Sequence, residues 1–128
     1  MSWWENLDYK SDEIKKVIDD KYNEWLECYG EKELNQKIVD GELHHEWFNT
    51  DYYIIGTYEA KKWLGDHAFD CIGVIQEYEN DNFGECNTEL DNPEKVVNMY
   101  VYILGEHLMQ EDPRFDQTKA EQELEVKN

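Results

Sequence analysis

Four histidines, three cysteines and a large surplus of carboxylates are the residues of this 128-residue chain whose types could carry chemistry. His44, His45, Glu42 and Glu46 come closest to a metal-ligand pattern. A zinc protease sets two imidazoles one helical turn apart with a glutamate beside the first, HExxH, but here His45-Glu46 is followed at position 49 by Asn. Glu42 with Glu46 or with His45 on the adjacent turn is the one looser ligand set, and no metal or other cofactor is expected. Glu77 to Gly84 is rich in oxygen ligands and ends in glycine, as a calcium loop would. Counted from Glu79, Gly84 takes the sixth place, yet Leu90 takes the twelfth, where a glutamate has to close the coordination shell.

Nucleophilic chemistry is no better supplied. Ser2 and Ser11 are the only serines, and neither lies in a GxSxG turn. Cys28, Cys71 and Cys86 are odd in number and lack CxxC spacing, which argues against a disulfide framework and a zinc knuckle. Acidic surroundings also oppose thiolate formation. The glycines are isolated and the sole arginine is Arg114, so no phosphate-binding loop is present. With 31 acids, carboxylate pairs at glycosidase spacing arise by chance and carry no weight. The chain is expected to act by binding and not as an enzyme.

The elements that would position these residues read as helices. Ile14, Val17, Ile18, Tyr22, Trp25, Leu26 and Tyr29 recur at steps of three and four, predicting a helix over 12–29 stopped at Gly30, with a second over 31–39. A short segment near Leu43–Phe48 and a helix over 50–64 are expected next, with a strand at 51–55 as the alternative, which would make the fold α+β. Asp66 is the predicted cap of a helix through Phe69, Ile72, Ile75 and Tyr78 that Gly84 closes. Asn92-Pro93 signals the start of a helix to about Gln110. Gly56, Gly73 and Gly105 lie among apolar neighbours inside predicted helices, where each costs about 1 kcal/mol relative to Ala and suggests close packing. The expected fold is all-α, a single domain over 1–110 of five or six helices. An acidic tail over 111–128 follows, either frayed or one weakly docked helix.

Charge is more informative than any local motif. The formal net charge is −19, and residues 63–128 carry 16 acids against four bases. Trp63 to Glu94 contains no Lys or Arg. Nucleic acid and anionic membranes should be repelled, since both demand a basic surface. No stretch approaches ~18 apolar residues and no signal peptide opens the chain, so a cytoplasmic location is expected. Duplex DNA presents one charge per ~1.7 Å of axis, so this net charge equals roughly 32 Å of duplex. A basic, nucleic-acid-binding protein is therefore the expected partner. Glu77, Glu79, Asp81, Glu85, Glu89, Asp91 and Glu94 form the primary face. Trp3-Trp4 and the cluster Trp47, Phe48, Tyr52 and Tyr53 are candidate anchors. The competing expectation is a structural or assembly protein that self-associates, for example as a homodimer, through apolar helix faces.

Phe48-Asn-Thr-Asp-Tyr-Tyr-Ile-Ile-Gly-Thr-Tyr-Glu-Ala60, Tyr78-Glu79, Asn82-Phe-Gly-Glu85, Pro93-Glu-Lys-Val-Val-Asn-Met99 and Tyr102-Ile-Leu-Gly-Glu106 resemble a group of small acidic bacteriophage proteins without assigned activity, over about residues 42–109. The resemblance implies a virus-encoded protein acting in the cytoplasm of a bacterial host, where such proteins disarm restriction or CRISPR defences. It supplies no catalytic residues. In charge alone the chain is also similar to phage DNA-mimic antirestriction proteins.

Overall fold

The structure is a computed structural model that describes residues 9–43, 47 and 57–127. Every element among them is helical: α1 (Ser11–Asp40), α2 (Thr57–Leu64), α3 (Ala68–Phe83), α4 (Pro93–Glu111) and α5 (Gln117–Lys127), with single 3₁₀ turns at Gly65–His67 and Pro113–Phe115. The all-α expectation is met. Four of these helices exceed ten residues, not the five or six anticipated; the stretches predicted as helices over 12–29 and 31–39 both lie in Ser11–Asp40, with the expected break between them at Gly30. That element is interrupted at Gly30 (φ 80°, ψ 163°), a conformation that a residue without a Cβ adopts at little steric cost. The strand alternative at 51–55, the predicted helix start over 50–56, Gly56, and the aromatic residues Trp3, Trp4, Phe48, Tyr52 and Tyr53 lie outside the described residues.

The chain gathers into two compact units. The first comprises Met1–Ser11 and Asp51–Leu104. Among its described residues the buried apolar ones are Ala60 and Leu64 of α2, Cys71, Val74 and Ile75 of α3, and Val96, Val97, Tyr100, Val101, Tyr102, Ile103 and Leu104 of α4. Full burial of one such Val, Ile or Leu side chain contributes roughly 1.5–3 kcal/mol, a large share of the ~5–15 kcal/mol by which small domains are stable. Tyr9 ties the unit's two chain segments together. Its hydroxyl donates to the carbonyls of Trp63 (2.7 Å) and Leu64 (3.0 Å), its carbonyl accepts from the Tyr100 hydroxyl (2.7 Å), and its ring stacks on His67 at 4.0 Å.

The helix boundaries of this unit follow local chemistry. Asn92 Oδ1 accepts from the amide of Glu94 (3.1 Å) with Pro93 at the first helical position, as the sequence suggests. Gly84 ends α3 in a left-handed conformation, φ 80°, its amide donating to the Asn80 carbonyl (3.1 Å). Asp66 is not the cap expected: it falls within the 3₁₀ turn Gly65–His67, and α3 starts one residue beyond that turn with no side-chain cap.

The second unit comprises Asp12–Thr50 and Gly105–Asn128. Ile14, Ile18, Trp25, Leu34 and Ile38 of α1 are buried, with Leu43, Trp47, Met109, Ala120 and Leu124. Within 111–128, expected to be either frayed or one weakly docked helix, the structure forms the helix α5. Ala120 and Leu124 are buried, Gln117 donates to the Ile38 carbonyl (3.3 Å), and Asn35 donates to Glu123 (3.1 Å). Of the three glycines singled out, Gly105 has the close approach expected, since a Cβ there would overlap the indole of Trp47. Gly73 has open space where its Cβ would stand.

Candidate functional site

The carboxylate face lies in the first unit, on α3 and on the loop from Gly84 to Asn92. Glu77 and Asp81 sit four residues apart on α3 and both are exposed. Asp70 extends the row, since steps of seven and four residues keep 70, 77 and 81 within about 40° of one another around the helix, and Asp66 is exposed on the 3₁₀ turn that precedes it. Glu85, Glu89 and Asp91 are exposed on the loop. Asp70 faces His67 Nδ1 at 3.5 Å and Glu89 faces Lys95 at 3.7 Å. Among the described residues Asp66, Glu77, Asp81, Glu85 and Asp91 make no ion pair.

Two residues assigned to this face do not belong to it as expected. Glu79 is 2% exposed. Its carboxylate accepts from the Thr88 hydroxyl, from the amide of Asn87 and from the amide of Thr88 (3.1 Å). Burial alone would push this carboxyl up, but the Thr88 hydroxyl, the two amides and the Cys86 thiol outweigh it and hold it below the usual range. Glu79 therefore pins the loop that carries Glu85, Glu89 and Asp91 instead of meeting a partner itself. Glu94 is half-buried; its Oε1 accepts from the Thr57 hydroxyl (2.8 Å), linking α4 to the start of α2.

Phe69 is the residue on this helix that periodicity misplaced. It is 88% exposed, whereas Cys71, Val74, Ile75 and Glu79 form the buried row of α3. The frame Phe69, Ile72, Ile75, Tyr78 advances by three residues at each step, so it drifts about 60° per step and crosses half the helix circumference. The row 71, 74, 75, 78, with its mixed steps of three and one, was the legible signal for the true core face. Among the described residues of this unit, Tyr58 (74% exposed) and Phe83 (58% exposed) are the other large apolar groups turned outward.

In the second unit Arg114 is the centre of a compact ion cluster. Its Nη2 lies 2.5 Å from Asp19 Oδ1 and 2.8 Å from Asp112 Oδ2, and its Nε lies 3.2 Å from both Asp112 oxygens. The guanidinium also covers the Tyr22 ring, at 4.8 Å from its centroid, with Phe115 at 5.8 Å. Hydrogen bonding to Arg114 holds the Asp112 carboxyl below its ordinary value, and the same bonds push the guanidinium up. Nearby, a cavity of about 360 Å³ is lined by Ile38, Leu43, Trp47, Glu106, Met109 and Phe115.

Among the described residues no group of three or more His, Cys, Asp or Glu is arranged to hold a metal ion. Of the looser ligand set, His45 and Glu46 lie outside the described residues, and Glu42 is exposed and pairs with Lys37 at 3.2 Å. Burial, reinforced by neighbouring Asp70, pushes the Cys71 thiol up to about 12, which makes it a core residue and not a nucleophile. Burial and the Glu79 charge push the Cys86 thiol up as well. No described helix is long and apolar enough to cross a membrane. No protein-family model, curated protein or solved structure matches this chain.

Proposed function

We propose that the chain is a phage-encoded binding protein that inhibits a basic, nucleic-acid-handling protein of its bacterial host, such as a restriction or CRISPR effector, by presenting carboxylates where that protein expects phosphates. The observation that carries this reading is the row Asp70, Glu77 and Asp81 with Asp66 on the turn before it and the loop acids Glu85, Glu89 and Asp91, all exposed within a stretch that has no Lys or Arg. Such a field repels nucleic acid, costs stability by self-repulsion, and accelerates encounter with a cationic surface. Seven charges correspond to roughly 12 Å of duplex, about a third of a helical turn, so the face suits one basic groove contact and not a whole DNA site. Unlike α1, whose acids alternate with Lys15, Lys16, Lys21, Lys32 and Lys37, it offers no neutralising partner of its own along α3.

The test is affinity capture from bacterial lysate at low salt, eluted by a salt gradient. The protein is compared with a variant in which Glu77, Asp81, Glu85 and Asp91 are replaced together by Lys. Glu79 is left intact because its replacement would disturb the loop. The expected result is a basic nucleic-acid-binding protein retained by the native chain, displaced by duplex DNA, and lost from the variant while the variant's helical circular dichroism is unchanged. Retention by the variant excludes this face.

A second reading, self-association through apolar helix surface, is favoured by the outward positions of Tyr58, Phe69 and Phe83. Light scattering across a salt titration separates the two. Apolar self-association persists or strengthens in salt, whereas engagement of a basic partner weakens.

A further inference from the structure

Beside its acids, α3 turns a second surface outward, and every residue of it lies within the regular helix Ala68–Phe83. At about 100° per residue, Phe69, Ile72, Gly73, Gln76, Asn80 and Phe83 share an arc of about 100°, and none of them is charged. Phe69 is 88% and Phe83 58% exposed, Gln76 and Asn80 are exposed, and Ile72 is half-buried. A Cβ at Gly73 would meet nothing within 4 Å, so the stripe is shallow between its two rings. Phe69 and Phe83 start about 21 Å apart along the helix axis. Apolar residues scattered singly over a surface need no explanation, but these share one face of one helix.

The acids border this stripe on one side. Asp70, Glu77 and Asp81 follow at about 80–120° around the axis from Phe69. The other side passes through Ile72 to the buried Glu79 and the loop it holds.

We infer that the stripe docks an amphipathic helix of the basic partner, the apolar face of that helix lying along Phe69, Gly73 and Phe83 and its cations along the flank that meets Asp70, Glu77 and Asp81. This inference rests on the charged-face reading and adds a shape to it. A helix meets its neighbours through an apolar stripe of about this width, and helices bound in grooves use anchors spread over several turns. Charge complementarity selects the partner, since a helix whose apolar face is bordered by Lys or Arg satisfies both surfaces at once. A second copy is opposed by charge: an isologous contact sets the same patch on both sides, and from Trp63 to Glu94 the chain has no Lys or Arg to answer these acids.

The experiment compares two labelled peptides of identical Leu, Ala and Lys composition by fluorescence anisotropy. In one, leucines and lysines are segregated on adjoining faces of a helix; in the other, the order is permuted so that no face forms. Each is titrated with the full chain, with Phe69→Ala, with Phe69→Ala and Phe83→Ala together, and with the fourfold Lys variant of Glu77, Asp81, Glu85 and Asp91. Both rings are exposed, so the Ala variants should keep the native circular dichroism. The segregated peptide is expected to bind about five- to tenfold more tightly than the permuted one. Phe69→Ala should reduce that ratio and the double variant bring it near one, with the affinity for the permuted peptide unchanged. A preference that survives the double variant overturns the docking stripe. So does a dimer of the native chain, seen by light scattering, that the double variant dissolves, because it gives the stripe to a second copy. If the native chain binds both peptides equally and the fourfold variant loses both, the charged face stands and the stripe alone falls. If the native chain binds neither peptide, both fall.

Discussion

The hydroxyl of Thr88 donates to the carboxylate of Glu79, joining the middle of α3 to the loop that follows it. The amides of Asn87 and Thr88 converge on the same carboxylate, so one buried acid satisfies three donors of a segment with no regular structure. A charge is tolerated in that position because it is fully hydrogen-bonded, and it orders the neighbouring acids on the surface.

Glu79→Ala strands those donors and is expected to lower stability by about 1–3 kcal/mol in urea denaturation at neutral pH. The folded-state pKa of Glu79 is depressed, so its contribution is whole above the ordinary carboxylate range. It is lost as pH falls through the lowered native value. Glu79→Gln should therefore flatten the acid limb of the stability profile relative to the native chain. An unchanged acid limb would show that Glu79 plays no part in it.

Gly105→Ala and Gly73→Ala are chemically identical changes with opposite expected signs. At 105 the new methyl meets the indole of Trp47, and overpacking of this kind costs about 1–3 kcal/mol. At 73 it meets open space in a helix interior, so the substitution should stabilise by up to about 1 kcal/mol. Thermal melts of the two single variants decide between close packing and mere helix propensity.

Arg114→Lys keeps the charge but loses the paired donors and the ring contact with Tyr22. Because the guanidinium is about a third exposed, the expected loss is only about 1 kcal/mol, partly screened by salt. A melt of Arg114→Lys at low and high ionic strength reads both the size and the screening.

The three thiols should react with a disulfide reagent in order of exposure: Cys28 at once, Cys86 slowly, and Cys71 only on unfolding. Cys71 also sets an alkaline limit. Its folded-state pKa is raised to about 12, so its stabilising contribution is whole below the ordinary thiol value near ~8.5 and declines as pH climbs from there. Cys71→Ala should remove that decline, as read by denaturation at neutral and alkaline pH.

Features governed by a residue and its immediate neighbours were readable from sequence. Gly30 and Gly84 end helical runs through their backbone freedom, and Asn92-Pro93 starts α4 because the asparagine side chain and the missing proline N–H solve the same terminal problem. Phe69 was misplaced because steps of three approximate a helical face only briefly before they rotate off it. Glu79 was assigned to the surface by residue type, and nothing in its neighbourhood announces that Asn87 and Thr88 will turn back to meet it. The docking of α5 depends on Asn35 and Ile38, some 80 to 90 positions away, a pairing that no local pattern encodes.

The gap in basic residues between Lys62 and Lys95 means that amine chemistry has no foothold there. Acetylation, ubiquitin transfer, amine cross-linkers and trypsin all need a lysine or arginine acceptor, so α3 and its loop emerge from digestion as one peptide. Neither a host nor an experimenter can retune that surface by lysine-directed modification. Its acids are open instead to reagents that activate carboxyl groups.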